Sequence, residues 1–337
     1  MEKNFINRWN SDAFETKEKA KKIADDLKKK LKVLPHPLNG WRSEPNQNLD
    51  TIKINENGLR SKSLINMRFK KNAFLLGGST AWGFGASCNE TTPAYLIENY
   101  LNEKYDLKFN FINLSDQMFS SYEELISFIN NVELFKPELV VFISGTNDIN
   151  REIDNSYKKT ELHEKFLNFF NWGRKIGIVD EKNYFKKILK IIIRDLKKTD
   201  SISDNYYILK KIKKNEIAST MIKEKFDFVN NYCRDKKIKC FHFLQPDLFF
   251  KLNKSESEKN YLISNFNKEK SDSLIKIFKD IENIFYKNKD KDIFFGSLLN
   301  IFENDNSTKF FDRAHLSDKG YKKMSETISK KIAEYFE

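Results

Sequence analysis

Three short polar segments of this 337-residue chain contain the residue types that acyl transfer requires. Ser79 follows two glycines, Asn147 lies in a Gly-Thr-Asn-Asp segment, and Asp312 precedes His315 by three residues. A serine becomes a good nucleophile when a histidine takes its proton and a carboxylate fixes the tautomer of that histidine. An amide side chain can donate to the oxyanion that then forms. Each segment alone is a weak signal, but together they predict a serine nucleophile with its base, orienting acid and oxyanion donor.

Apolar runs typical of buried strands precede the first two segments. Residues 73–76 lead directly to the segment of Ser79, and residues 139–143 lead to the segment of Asn147. In open α/β sheets, ligands bind at the carboxyl ends of the parallel strands. We therefore expect both side chains to lie at this edge of a sheet.

Predicted strands and helices alternate along the chain. Their order is strand 72–76, helix 93–103, strand 109–114, helix 121–135 and strand 139–144, with a later strand at 238–244. Such alternation is typical of right-handed βαβ units that build a parallel sheet. The apolar spacing of residues 11–33 predicts a charged amphipathic helix, and a terminal helix is expected to begin shortly after His315.

The polar segments resemble the sequence blocks of the SGNH (GDSL-type) hydrolases, over about residues 36–337. This resemblance implies a flavodoxin-like three-layer α/β/α fold with a central parallel sheet and helical insertions. It also implies that Ser79 is the nucleophile, His315 the general base and then acid, Asp312 its orienting carboxylate, and Asn147 an oxyanion donor.

The family's second block is altered in this chain. Within residues 111–122, Ser115 stands where the resemblance leads us to expect a glycine whose backbone N–H binds the oxyanion, and Met118 stands at a second expected glycine. Because a backbone N–H serves this role, we expect Ser115 to donate it beside the N–H of Ser79. Serine adopts fewer backbone conformations than glycine, so this departure predicts a specialised or slower enzyme.

Further runs are similar to a bacterial subset of the family that is associated with surface polysaccharide. They are residues 36–42, 54–60 and 243–246. The resemblance implies a serine esterase that removes O-acetyl or other short acyl groups, on a carbohydrate, through a covalent acyl-enzyme. It implies no metal and no cofactor.

Several residues beside the blocks are expected to bind the substrate. They are Gly78, Trp82 and Asp148. The aromatic side chains near the blocks, which are Trp82, Phe84, Phe119 and Tyr122, can stack on a sugar, but core packing explains them equally well.

Two other kinds of function remain open at this point. On the same fold, the acyl group can pass to a sugar hydroxyl instead of water, or the substrate can be a lipid ester or a thioester. The replaced glycines also leave open a noncatalytic glycan-binding or scaffold protein.

Length and composition favour one catalytic domain with helical additions. Hydrophobic residues make up 39% of the chain and include thirty Phe, which suffices for a sizeable core. We predict an N-terminal helical arm at residues 1–35, the hydrolase domain at residues 36–337, and a helical, lysine-rich insertion at about residues 150–237. The dense lysines of residues 181–215 fit a helix packed over the sheet, or else a lid or a surface for anionic groups.

Charge and cysteine usage bear on partners and compartment. The formal charge of +12 comes from lysines spread along the chain without a nucleic-acid-binding motif, so nucleic acid is not an expected partner. Three cysteines without framework spacing, and no leader-like or membrane-spanning apolar stretch, favour a cytoplasmic protein. The expected partner is a small-molecule or glycan ester, and a homo-oligomer remains open.

Three histidines lie outside the blocks, at His36, His163 and His242. None has neighbouring Cys, His or carboxylate residues at metal-ligand spacing, so we expect structural or exposed roles for them.

Overall fold

A parallel five-stranded sheet is the centre of the fold in the computed structural model, which describes residues 9, 12–36, 38–64, 71–153, 217–287 and 293–336. The strands of these ranges are β1 (Val33–His36), β2 (Gly40–Ser43), β3 (Asn72–Gly77), β4 (Asn110–Asn113), β5 (Leu139–Ser144), β6 (Lys239–Leu244) and β7 (Ile293–Ser297). The sheet has the order β4-β3-β5-β6-β7 with every neighbouring pair parallel, while β1 and β2 form a separate antiparallel hairpin. Counted from β3, this is the 2-1-3-4-5 order of flavodoxin-like folds, and it confirms the predicted fold class.

Helices connect the strands and begin where the sequence supplies caps. The α-helices of the described ranges are α1 (Lys17–Asp25), α2 (Ser79–Trp82), α3 (Pro93–Asn99), α4 (Ser121–Phe135), α5 (Thr146–Ile153), α6 (Ile217–Lys236), α7 (Glu256–Asn265), α8 (Lys268–Lys287) and α9 (Asp318–Phe336). At the start of α4, the Ser120 N–H and hydroxyl both donate to Glu123, which stabilises the first turn. Ser255 and Glu258 form the same kind of cap on α7.

The helices cover both faces of the sheet because the strand residues are buried on both sides. Alternate side chains of β3 belong to different clusters: Ala73 and Leu75 pack with α3 and α9, whereas Phe74 and Leu76 pack with α4 and α6. A third cluster joins α5, α6 and α8 beside Leu244. The near-continuous apolar runs of the strands follow from this burial on two faces.

Most predicted elements lie where the sequence places them. The helix predicted at 121–135 and the strand predicted at 139–144 have the bounds of α4 and β5, and the helix predicted at 93–103 is α3 extended by a wider turn at Tyr100–Lys104. The helix predicted at 11–33 is shorter. It begins after Thr16, whose hydroxyl accepts the Lys19 N–H, and α1 continues as a wide turn only to Lys30.

The lysine-rich insertion is described only at its ends, by α5 and α6. Residues 181–215, for which a packed helix or a lid is predicted, lie outside the described residues, as does His163.

Candidate active site

Ser79 lies at the first turn of α2, directly after β3 and Gly77-Gly78. The passage from strand to helix is too tight for side chains at the first of these glycines. A Cβ on Gly77 would lie 2.4 Å from the Ile143 carbonyl oxygen and 2.5 Å from the Ala81 Cβ. The sequence Gly-Gly-Ser therefore holds the serine hydroxyl at the carboxyl end of β3, beside the point where the strand order reverses.

The structure brings Ser79, His315 and Asp312 together although 236 residues separate the serine from the histidine. The Ser79 Oγ lies 2.7 Å from His315 Nε2. On the other side of the ring, His315 Nδ1 lies 2.7 Å from Asp312 Oδ2 and 2.9 Å from Oδ1. These distances allow a proton to pass from the serine to an imidazole whose opposite nitrogen is held by a carboxylate.

The loop of Asp312 and His315 is fixed by its own backbone and by aromatic neighbours. Asp312 Oδ1 accepts the N–H groups of Ala314 and His315, each at 2.9 Å. The imidazole packs against Phe84 and Phe311, with ring centroids at 4.4 and 5.8 Å. The orientation of the imidazole is therefore set by packing as well as by the carboxylate.

Asn147 follows β5 and reaches the same edge of the sheet. Its Nδ2 donates to the Phe119 carbonyl oxygen at 2.8 Å, which uses one of its two N–H bonds. A Cβ on Gly78 would lie 2.4 Å from this Nδ2. Gly78 is thus needed to make room for the amide, which is a packing role beside the serine.

Ser115 fits its position without backbone strain, since its φ is not positive. The side chain is 2% exposed and its hydroxyl donates to the Leu75 carbonyl oxygen at 3.3 Å. Its backbone N–H donates to Asn113 Oδ1 at 3.2 Å. For Ser115 to bind the oxyanion, its N–H must exchange the Asn113 oxygen for the oxyanion. The predicted role of Ser115 as an oxyanion donor therefore stays a prediction.

Met118, the other replaced glycine, has the left-handed backbone that favours glycine. Its φ is +61°, and its side chain is 66% exposed and therefore gains little from packing. A residue with a Cβ pays about 1 kcal/mol or more in this conformation. Met118 therefore carries a local cost in stability.

We expect Met118→Gly to be more stable than Met118→Ala by about 1 kcal/mol, because only glycine relieves the left-handed backbone. At an ordinary position the order is the reverse, since glycine loses more conformational freedom on folding. Urea unfolding of the two variants measures the difference in their free energies of unfolding. If Met118→Ala were the more stable variant, the backbone at this position would not be strained.

The N-terminal hairpin of β1 and β2 braces the loop that contains Ser115 and Met118. Trp41 Nε1 donates to the Gln117 carbonyl oxygen at 2.8 Å, and the Ser43 N–H donates to Asp116 Oδ2 at 3.3 Å. Burial raises the pKa of Asp116 to about 6. Residues 36–42 are one of the runs that are similar to the bacterial subset of the family. The contact of Trp41 shows that this run helps to position the second block.

Two expected substrate-binding residues are buried, and substrate binding by them stays a prediction. Trp82 is 1% exposed, with the Arg60 guanidinium 4.7 Å above its ring. Asp148 is also 1% exposed and accepts the N–H and hydroxyl of Ser121, each at 3.2 Å. Burial, with the nearby Glu124 carboxylate, raises the pKa of Asp148 to about 6. In this structure both side chains contact other parts of the protein beneath the site.

The other aromatic side chains near the blocks divide between core and surface. Phe84 and Phe119 are buried, whereas Tyr122 is half-buried. His242 is fully buried and stacks on Phe142 and Phe295, as expected for a structural histidine.

Sequence reasoning missed a set of charged residues beneath the second block. Arg151 donates to Ser120 Oγ at 2.6 Å and to the Met118 carbonyl oxygen at 3.3 Å. Behind it, the buried Lys225 Nζ donates to Glu124 at 2.7 Å. The only sequence signal was the spacing of four between Asn147 and Arg151 on one helix, which places them on neighbouring turns.

Within the described ranges, no helix is long and apolar enough to span a bilayer. In the same ranges, no three His, Cys, Asp or Glu side chains are grouped to hold a metal ion.

Comparison with known proteins gives a family and a set of distant structures. The family model for GDSL-like Lipase/Acylhydrolase matches residues 74–328. No significant match is found among curated proteins. Similar solved structures include an acetyl xylan esterase, AlAXEase, at 12% identity, with 77% of this chain and 99% of that one covered and a TM-score of 0.43.

Two further structures have comparable similarity. The lipase Lip_vut3 from a goat rumen metagenome is 15% identical, with 78% of this chain and 97% of that one covered and a TM-score of 0.44. A GDSL-like lipase from Bacteroides thetaiotaomicron is 14% identical, with 78% and 88% covered and a TM-score of 0.39. Because the family match extends over most of the sequence, the chain belongs to the GDSL-like lipase/acylhydrolase family and is an ester-hydrolysing serine hydrolase.

Proposed function

We propose that this protein hydrolyses O-acetyl or other short acyl esters of a carbohydrate through a Ser79-His315-Asp312 triad and a covalent acyl-enzyme. The observation that carries the proposal is the continuous hydrogen-bonded path from Ser79 Oγ through His315 to Asp312. A short path of this kind is what activates a serine hydroxyl at neutral pH.

In the proposed mechanism, His315 Nε2 takes the proton from Ser79 Oγ as the oxygen attacks the ester carbonyl. The Asp312 carboxylate holds the Nδ1 proton and stabilises the imidazolium that forms. As the tetrahedral intermediate collapses, His315 gives the proton to the departing alcohol oxygen. Water then attacks the acyl-serine with His315 again as base, and the acid and free serine are released.

The oxyanion is assigned to the Ser79 N–H at the first turn of α2 and to the second N–H bond of the Asn147 amide. The Phe119 carbonyl oxygen accepts one N–H and thereby fixes the orientation of the amide. A donor held in place before the reaction stabilises the developing charge without reorganisation. Ser115 is the proposed third donor, once its N–H exchanges Asn113 for the oxyanion.

Asn147→Ala is expected to lower kcat by about two to three decades, because it removes one preorganised donor. KM should change little, since the ground-state carbonyl is a weaker acceptor than the oxyanion. Steady-state kinetics on p-nitrophenyl acetate measures both constants.

The matched control is Asn131→Ala. Asn131 makes the same type of bond, from its amide to the Ser127 carbonyl oxygen at 2.7 Å, but on the outer part of α4. If Asn147→Ala kept nearly full kcat, Asn147 would not be an oxyanion donor. An equal loss of kcat in Asn131→Ala would also contradict this role.

The proposed function is tested by labelling the native protein with a fluorophosphonate probe and locating the label by peptide mass. Label on Ser79 with release of acetate from acetylated oligosaccharides supports the esterase. Release only when a sugar acceptor is present, with transfer of the acetyl group to it, would make the protein an acyltransferase. A folded protein that neither labels nor releases acid would support the noncatalytic alternative.

A further inference from the structure

A cavity of about 290 Å³ lies next to the imidazole of His315. Its walls come from α5, from the α7–α8 corner and from the loop of Asp312. They include Asn150, Tyr261, Phe266, Lys270, Arg313 and His315. This volume is just below the usual range for small-molecule sites, which is about 300–1,000 Å³. The two aromatic rings and the polar groups together are the chemistry that binds a sugar ring.

One of the two cations of the cavity is already balanced. Arg313 is buried, its Nε lies 3.2 Å from Asp247 Oδ2, and its terminal amino group donates to Asn150 Oδ1 at 2.7 Å. Burial raises the pKa of Asp247 to about 6, and the positive charge of Arg313 opposes this rise. The pair adds no net charge to the cavity.

Lys270 is the cation that remains. It is exposed at the first turn of α8, its Nζ lies 5.7 Å from the centre of the Phe266 ring, and among residues in the described ranges it has no acidic partner within ion-pair distance. The Asp312 carboxylate also lines the cavity, but it is held by His315 and by two backbone N–H groups. Among the described residues of the cavity wall, Lys270 is therefore the cation that is open to a ligand, beside an aromatic wall.

We propose that this cavity binds the alcohol part of the ester and that this part is a sugar with a single carboxylate, which pairs with Lys270. The inference rests on the proposed function, because His315 must reach the departing alcohol oxygen to protonate it. The cavity borders His315, so the alcohol part extends into it while the acyl group stays with Ser79. A single ammonium group in a cavity that also contains the Asp312 carboxylate matches a monoanionic carboxylate better than a phosphate dianion.

Three acetyl esters test the proposal by the rate of acetate release. They are the mono-O-acetyl esters of methyl glucuronoside, of its neutral uronamide and of glucose 6-phosphate. We expect kcat/KM for the glucuronoside to exceed that for the uronamide by about two- to fivefold, the effect of one ion pair with an exposed lysine. Lys270→Gln should abolish this preference through KM, and Lys270→Arg should retain it.

Lys279→Gln is the matched control, since it removes the same charge from an exposed position of α8, about 13 Å further along the helix at 1.5 Å per residue. Equal rates on the glucuronoside and uronamide, or a preference that Lys270→Gln leaves intact, would overturn the proposal. A higher kcat/KM for the acetyl ester of glucose 6-phosphate than for that of the glucuronoside would contradict a carboxylate as the partner of Lys270.

The proposed function fails separately. Absence of both probe labelling and p-nitrophenyl acetate hydrolysis contradicts the esterase itself, whereas hydrolysis of this neutral ester without any charge preference contradicts only the assignment of the cavity.

Discussion

Replacing Ser79 with alanine is expected to lower kcat for p-nitrophenyl acetate by about five to six decades and to abolish fluorophosphonate labelling. The variant loses the atom that forms the acyl-enzyme, so only binding and oxyanion stabilisation remain. His315→Ala should reduce turnover to a similar level, because residues that act as one unit do not contribute additively. The kcat of each variant and its labelling by the probe are measured beside the wild type.

Ser87→Ala is the matched control for Ser79→Ala. Ser87 is also half-buried and its hydroxyl also has a side-chain partner, Asp318, with an Oγ–Oδ2 distance of 2.5 Å. This contact joins the Ser87 loop to the first residue of α9 and does not reach His315, so we expect a small loss of stability and retained turnover. Activity of Ser79→Ala above a few per cent of the wild type would require another nucleophile.

The parts of the site that the sequence predicts are those set by local chemistry. Ser79 and Asn147 could be placed because each follows an apolar strand in a parallel sheet, and strand order then brings them to one edge. Asp312 and His315 are close in sequence and need only one loop to meet. The same local reasoning located α4 and β5, whose apolar periodicity and caps agree with the fold.

The rest depends on contacts between distant segments. Trp82 looked available for a ligand because it is next to the Ser79 segment, but Arg60 covers its ring. Tyr261 and Lys270 belong to α7 and α8, which have no motif and reach the site only by packing at the β7 end of the sheet. Burial of this kind is a tertiary property that residue type and spacing do not specify.

The hairpin of β1 and β2 illustrates a second limit. Its four-residue strands are largely exposed or half-buried and include Pro35, so neither length nor alternation indicated a strand. The hairpin exists because Trp41 and Asn39 bond to the second block and to α4. It is therefore stabilised by the loop that it positions.

Asp312→Asn is expected to lower kcat by about four decades with the fold intact. Asp312 Oδ1 accepts two backbone N–H groups, so the amide oxygen of an asparagine must take this place. The amide nitrogen then takes the place of Oδ2, 2.7 Å from His315 Nδ1, and donates to it. The imidazole proton is forced onto Nε2, which then cannot accept the proton of Ser79.

Nitrogen NMR of the imidazole distinguishes this tautomer effect from a loss of structure. We expect the imidazole proton on Nδ1 in the wild type and on Nε2 in Asp312→Asn. The variant with the proton on Nε2 should also have the reduced kcat. Asp305→Asn makes the same change of charge at a carboxylate that bonds to Ser307 and Lys309 in a nearby loop, and it should leave kcat unchanged. If Asp312→Asn kept kcat within tenfold of the wild type while His315→Ala was inactive, the backbone and the rings of Phe84 and Phe311 would suffice to orient His315, and Asp312 would have no part in setting the tautomer.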